Sequence, residues 1–72
     1  MERISIRGEY IKLDSLLKFS GLCETGGRAK MEIAAGNVRY NGEVCQMRGK
    51  KVRPGDRVFF DGQEILVEAY DG

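Results

Sequence analysis

The first half of the chain spaces its apolar residues as a helix does, whereas the second half alternates them as strands do. Leu13, Leu16 and Leu17 lie three or four positions apart, and Ala29 and Ile33 lie four apart. Two helices are therefore predicted, and because few residues separate them they should form an αα-hairpin. The predicted fold class is α+β: an αα-hairpin packed on a small, mostly antiparallel sheet of four to five short strands.

Glycines set the expected ends of the two helices. Gly21 is a good stop for the first helix. The second is expected from Gly26 to Ala35, with Thr25 as its cap and Gly36 after its last residue.

Three turn signals divide the second half into strands. Asn41-Gly42 predicts a type I′ hairpin, because both central residues of that turn need a positive φ. Pro54-Gly55 fits the centre of a type II turn, and Asp61-Gly62 marks another turn. The expected strands, including a short one near the start of the chain, are 3–7, 38–40, 43–45, 57–60 and 63–69. Phe59 and Phe60 are adjacent in the fourth strand and must point to opposite faces, so one of the two rings should lie outside the core.

Composition excludes several classes of protein. A chain of 72 residues is expected to be one small domain over 1–72, with 42% apolar residues and a single proline arguing against disorder. No apolar run reaches membrane-spanning length, and no apolar stretch follows Met1, so a cytoplasmic protein is expected. Histidine is absent and Cys23 and Cys45 lie far apart, so neither a metal nor a cofactor is expected. No serine or cysteine has a plausible base beside it, so an enzyme is not expected.

Charge is distributed unevenly along the chain. Residues 28–57 contain eight bases and three acids, whereas residues 58–72 contain four acids and no base. The net charge of the whole chain is only +1. This asymmetry predicts one basic face on a nearly neutral protein.

The start of the second helix combines two glycines with two cations. Arg28 and Lys30 follow Gly26 and Gly27 directly after the Thr25 cap. Because a helix N-terminus carries partial positive charge, cations work mildly against the helix there. Free backbone N–H groups, glycines that allow close approach and cations together suit phosphates.

Further cations occur beside the predicted hairpin and in a basic loop. Arg39 lies next to the Asn-Gly turn, and Arg48, Lys50 and Lys51 surround Gly49. If these residues share a rim with the start of the second helix, they would line a cationic groove for nucleic acid. On residues alone, an ordinary solvated surface remains the alternative.

The order of these parts resembles a known family. Val38-x-Tyr40-Asn41-Gly42 followed by Pro54-Gly55-Asp56-x-Val58 is similar to the small RNA-binding domain first seen in ribosomal small-subunit protein S-four, also called the alpha-L motif. The resemblance covers about residues 11–60. The segment 24–30 looks like that of the free-standing bacterial members of about this length. In two respects the chain departs from the commoner pattern: Gly26 and Gly27 replace basic residues, and Glu32 stands where an apolar residue is frequent.

The resemblance implies a non-catalytic protein that binds structured rRNA or tRNA. It would recognise the RNA through phosphate contacts and shape rather than through base edges. It further implies a ribosome or ribonucleoprotein context and a monomer. The residues that it assigns to RNA binding are Lys18, Gly26, Gly27, Arg28, Lys30, Arg39, Arg48, Lys50 and Lys51. Two alternatives stay open: a ubiquitin-like sulfur carrier of the β-grasp class and a protein-interaction module. A carrier would place the hairpin before the helices and end in Gly-Gly, whereas this chain ends in Asp71-Gly72.

Overall fold

A computed structural model describes residues 2–70 of the chain, so the Asp71-Gly72 end lies outside the described residues. Two helices and seven strands make up this part of the chain. In chain order they are β1 (Glu2–Ile6), β2 (Ile11–Lys12), α1 (Leu13–Phe19), α2 (Gly26–Ala34), β3 (Val38–Tyr40), β4 (Glu43–Val44), β5 (Lys51–Val52), β6 (Arg57–Phe60) and β7 (Gln63–Ala69).

Five of the strands form one mixed sheet in the order β1-β7-β6-β3-β4. All neighbours in it are antiparallel except β1 and β7, which run parallel. The remaining strands, β2 and β5, form a separate antiparallel pair only two residues long. The predicted fold class, an αα-hairpin on a mostly antiparallel sheet, is confirmed.

The start of α2 and the ends of both helices follow the local signals that the sequence indicates. The hydroxyl of Thr25 accepts a hydrogen bond from the Arg28 N–H (3.1 Å), which caps α2 as predicted. The last helical residue of α2 is one position earlier than expected, and Gly36 follows with a φ of +82°. Likewise Gly21, with a φ of +83°, follows the end of α1.

The turns also have the predicted conformations. Asn41 and Gly42 have φ values of 50° and 89°, as a type I′ turn requires. In the Pro54-Gly55 turn, Gly55 has a φ of 95° and the Asp56 N–H donates to the Arg53 carbonyl (3.0 Å). These turns fix the register of the antiparallel strands.

The helices cover one face of the five-stranded sheet and leave the other open. On the covered face, alternate residues of the strands are buried against the helices, and they share one core with both helices and β5. On β6, Phe60 is buried while Phe59 is 42% exposed, so Phe59 is the ring that leaves the core. The buried apolar residues are Ile4, Ile6, Leu13, Leu16, Leu17, Cys23, Ala29, Ile33, Val38, Val52, Val58, Phe60, Ile65 and Val67.

Candidate nucleic-acid interface

The basic loop, residues 48–51, packs against the N-terminus of α1. The Leu13 N–H donates to the Lys50 carbonyl (2.9 Å), and the Asp14 N–H donates to the Arg48 carbonyl (3.2 Å). The loop therefore supplies acceptors to N–H groups that a helix N-terminus leaves without intrahelical partners. Its side chains are consequently held near α1 rather than at the start of α2.

Two lysines of the loop lie over tyrosine rings. Lys50 Nζ is 5.0 Å from the ring centroid of Tyr40, and Lys51 Nζ is 5.0 Å from that of Tyr10. Cation–π attraction of this kind restrains the lysine without neutralising its charge. Both ammonium groups are thus positioned and remain able to bind an anion.

A network of hydrogen bonds centred on Asp56 fixes the Tyr40 ring. Asp56 Oδ2 accepts from the Tyr40 hydroxyl (2.5 Å) and from the Arg53 N–H (2.9 Å). Its other oxygen accepts from the side-chain amide of Asn41 (3.3 Å), whose own carbonyl accepts from the Arg57 N–H (2.8 Å). The network explains why Tyr-Asn-Gly and Pro-Gly-Asp occur together, because each motif supplies partners for the other.

These contacts shift the pKa values of Asp56 and Tyr40. Partial burial alone would raise the pKa of Asp56, but the hydrogen bonds from Tyr40, the Arg53 N–H and Asn41, with the charge of Arg53, together lower it. The hydrogen bond to Asp56, reinforced by burial, raises the pKa of Tyr40. At neutral pH the carboxylate is therefore ionised and the phenol is neutral, which suits the observed donor and acceptor.

Lys12 belongs with the basic loop, although the sequence analysis missed it. The pairing of β2 with β5 places Lys12 directly opposite Lys51, and both residues are exposed. Like charges directly opposite one another destabilise a strand pair, so this arrangement favours an external anion. A two-residue strand has too short an alternation to be recognised in the sequence. We call Lys12, Arg48, Lys50 and Lys51 the loop group.

The start of α2 forms a second cationic group, beside the last turn of α1. Arg28 and the two glycines open α2, and Lys18 lies in the last turn of α1, one short connection away. We call Lys18, Gly26, Gly27 and Arg28 the helix group.

The protein itself gives no steric reason for the two glycines. Among the described residues, a methyl group on Gly26 would meet no atom within 4 Å, and one on Gly27 would meet only Thr25 Oγ1 at 3.9 Å. Neither glycine has a positive φ. Within residues 2–70 their N–H groups also have no hydrogen-bond acceptor. The start of α2 is therefore open to close approach from outside.

The loop group and the helix group lie at opposite ends of α2. The side-chain amide of Gln46, just before the basic loop, donates to the Ala34 carbonyl at the C-terminal end of α2 (3.0 Å). Nine helical residues, or about 13 Å, separate that end from Gly26. The basic loop and the start of α2 thus do not share the rim on which the sequence analysis made a single cationic groove conditional.

Two of the sequence-assigned cations point away from these groups. Lys30 is two residues after Arg28, about 200° around the helix, so the two side chains do not share a face. Arg39 is exposed on the open face of the sheet, where its cross-strand neighbours are Phe59 and Val44.

The two faces of the sheet differ in their ion pairs. Within residues 2–70, two ion pairs occur, Arg3 with Glu68 (3.5 Å) and Arg57 with Glu64 (3.7 Å). Both lie on the open face of the sheet, by the strand register. No cation of the loop group or helix group has a carboxylate partner among the described residues, so the positive charge of these groups is not compensated there.

Residues 2–70 contain no group of three or more histidine, cysteine, aspartate or glutamate side chains placed to hold a metal ion. Neither helix there has the length and apolar content needed to cross a bilayer. Cys23 is buried in the core, and burial raises the pKa of its thiol, opposed by the nearby charge of Arg28.

Comparisons of sequence identify close relatives. The family model described as the S4 domain matches residues 4–68. YbcJ of Escherichia coli strain K12, by name a candidate RNA-binding protein, is 37% identical over 60 residues, which cover 83% of this chain and 86% of YbcJ. RlbA of Bacillus subtilis strain 168, by name a candidate ribosome maturation protein, is 37% identical over 59 residues, which cover 82% of this chain and 83% of RlbA.

Solved structures share the fold. The solution structure of E. coli YbcJ, described as revealing an alpha-L motif involved in RNA-binding, superposes with a TM-score of 0.69 and 32% identity over 94% of this chain and 85% of YbcJ. Heat Shock Protein 15 of Vibrio cholerae superposes with a TM-score of 0.73 over 88% of this chain and 67% of that protein. At 24% identity the second likeness concerns the fold alone.

Proposed function

Because the chain belongs to the S4 domain family, we propose that it is a non-catalytic protein that binds structured RNA. The observation that carries the proposal is the contrast between the two faces. Cations on the helix side have no carboxylate partners among the described residues, whereas the ion pairs lie on the open face of the sheet. The names of the relatives YbcJ and RlbA support the same conclusion.

Binding would use the two cationic groups at different points along one RNA. Lysines of the loop group, held over tyrosine rings, would contact phosphates at one end of the helix pair. At the other end, Arg28 and Lys18 would contact phosphates while the open backbone at Gly26 and Gly27 lets the RNA approach. Since such contacts do not read base edges, the shape of a folded RNA would supply most of the selectivity.

The RNA class follows from the relatives rather than from the geometry. RlbA is named for ribosome maturation, so ribosomal RNA is the first candidate and tRNA the second. In this proposal the chain acts in the cytoplasm as a monomeric adaptor, without a cofactor and without catalysis.

The sulfur-carrier alternative does not fit the observed order of elements. In the structure, the Asn41-Gly42 hairpin follows both helices, whereas a carrier would place it before them.

The test is a charge reversal in each group, Arg28→Glu with Lys50→Glu. We expect this double variant to lose binding to rRNA fragments and tRNA while its circular dichroism spectrum stays unchanged. About four phosphate contacts would give the unaltered protein a slope of about −3 to −4 for log K against log salt.

A matched control reverses two charges on the other face, Arg3→Glu with Arg57→Glu. This control changes the net charge of the protein by the same amount. If the RNA binds to the helix side, the control should keep most of its RNA affinity, because its two changes lie on the other face. Equal loss in both double variants would show a general charge effect and would contradict the proposed surface.

A further inference from the structure

An open cavity lies at the edge of the sheet beside the loop group. Its volume is about 450 Å³, within the range of pockets that hold small organic groups. Ile6 and Ile11 contribute to its lining together with the rings of Tyr10, Phe19 and Tyr70. No residue of the structural network around Asp56 contributes to it.

The cavity collects most of the exposed aromatic surface of the described residues. Four aromatic side chains there are 39% exposed or more, and three of them line this cavity: Tyr10 (39%), Phe19 (69%) and Tyr70 (50%). Exposed rings gathered around one concavity indicate a binding surface rather than unrelated surface residues.

Two cations are stacked on the walls of the cavity. Arg7 lies 4.5 Å from the ring centroid of Tyr70, and Lys51 lies 5.0 Å from that of Tyr10. An apolar side chain of a partner protein would have to desolvate these charges, whereas a nucleotide offers a flat base to the rings and a phosphate to the cations. The charge at the walls therefore favours a nucleotide.

Lys51 connects the cavity with the surface proposed for RNA. It belongs to the loop group, and its ammonium lies over a ring that also lines the cavity. A strand whose phosphate contacts Lys51 can place the neighbouring base against Tyr10.

We propose that this cavity binds one unpaired nucleobase of the RNA, stacked on the rings of Tyr10, Phe19 and Tyr70, with Arg7 and Lys51 at the adjoining phosphates. The inference rests on the proposed function, because it assigns a single-stranded or bulged nucleotide to the same RNA. It adds recognition of an unpaired base to backbone contacts that do not distinguish bases.

The experiment compares two RNA hairpins that share one stem. One hairpin is fully paired, and the other contains a single bulged 2-aminopurine, whose fluorescence falls when it stacks. We expect the protein to bind the bulged hairpin about 5- to 100-fold more tightly, which is the contribution of one stacked base, and to quench its emission. Adenosine monophosphate alone should bind far more weakly, because it lacks the neighbouring phosphates.

The test variant is Phe19→Leu, which keeps an apolar side chain at a 69% exposed position and removes the ring. It should lower the affinity for the bulged hairpin and the quenching, while leaving the affinity for the paired hairpin unchanged. Phe59→Leu, on the open face of the sheet, is the matched control and should alter neither.

The experiment distinguishes a failure of the cavity assignment from a failure of the proposed RNA binding. Equal affinity for both hairpins, unchanged emission, or no effect of Phe19→Leu would overturn the cavity assignment while RNA binding itself stands. Binding of adenosine monophosphate as tightly as the bulged hairpin would identify a free-nucleotide site instead. Absence of binding to both hairpins, to rRNA fragments and to tRNA would overturn the proposed function and this inference together.

Discussion

The Tyr40 hydroxyl donates a hydrogen bond of 2.5 Å to Asp56, sixteen residues further along the chain. This contact joins the β3–β4 hairpin to the turn before β6, and the same Tyr40 ring lies under Lys50. A residue in a turn thereby determines where a candidate RNA-binding lysine stands. The structural motif and the binding surface are thus physically connected.

Replacing Asp56 by Asn should destabilise the fold by about 1–3 kcal/mol, because the half-buried Tyr40 hydroxyl and two exposed donors, the Asn41 amide and the Arg53 N–H, lose a charged acceptor. The pKa of Asp56 is lower in the fold than its ordinary value near 3.8. Its contribution is therefore present above about pH 4 and is lost as pH falls through the folded pKa. Urea unfolding between pH 7 and pH 2.5 should show this loss in the native protein and a weaker pH dependence in Asp56→Asn.

Asp61→Asn is the matched control for this prediction. Asp61 also occupies a turn, with a φ of 52° that Asn tolerates, and its side chain accepts no hydrogen bond within the described residues. It should leave stability within about 0.5 kcal/mol of the native value. A loss as large as that of Asp56→Asn would mean that the removed charge, and not the network, is responsible.

Gly27→Ala should stabilise the protein and weaken its RNA binding. Alanine is a better helix former than glycine by up to about 1 kcal/mol, and the added methyl group meets only Thr25 Oγ1 at ordinary contact distance. The same methyl group would stand where the RNA backbone is proposed to approach the open N–H groups. Thermal unfolding and fluorescence anisotropy on the same sample measure both effects.

Opposite signs of the two effects distinguish a binding role from a folding role. If stability rises and affinity does not change, the glycines do not face RNA. If both fall, Gly27 has a structural role that the contacts do not show.

The sequence predicts the parts of the fold whose signals are local. Asn41-Gly42 requires a left-handed turn, and Thr25 can cap only the helix that it precedes. The adjacent Phe59 and Phe60 must point apart in any strand. Each of these predictions depends on the chemistry of neighbouring residues, and each is confirmed.

What the sequence does not predict depends on contacts between distant residues. The basic loop lies at α1 because its carbonyls accept from Leu13 and Asp14, and no local pattern records that contact. Lys12 joins the loop group only through a two-residue strand pair. The positions of the cations in the sequence thus predict a basic surface, whereas only the tertiary structure shows which cations lie together.

Lys12→Gln should slightly stabilise the protein and lower its affinity for RNA. Removing one of two like charges directly opposite each other relieves a repulsion worth a few tenths of a kcal/mol. One lost phosphate contact should also reduce the salt slope of RNA binding by about 1. Urea unfolding and a salt titration of the affinity test these effects.

Salt provides an internal control for the repulsion. Added salt screens exposed charges, so it should stabilise the native protein more than Lys12→Gln. An equal response of both proteins would contradict a repulsion between Lys12 and Lys51.

The two thiols should differ in reactivity with iodoacetamide. Cys23 is 1% exposed and burial raises the pKa of its thiol, so little reactive thiolate is accessible in the native state. Cys45 is only half-buried and should be alkylated first. Mass spectrometry should find one modification in the folded protein and two in urea, and Cys45→Ser should remain unmodified until it unfolds. Rapid native alkylation of that variant would show that the core opens around Cys23.

Arg39→Gln should weaken RNA binding less than Lys50→Gln, although each variant removes one positive charge. Arg39 is exposed on the open face beside Phe59, whereas Lys50 lies on the helix side over the Tyr40 ring. An RNA that contacts the loop group and the helix group on one side reaches Lys50 and leaves Arg39 in solvent. Affinities measured at several salt concentrations should give a slope reduced by about 1 for Lys50→Gln and nearly unchanged for Arg39→Gln. An equal reduction in both would mean that the RNA wraps around the β4 edge of the sheet.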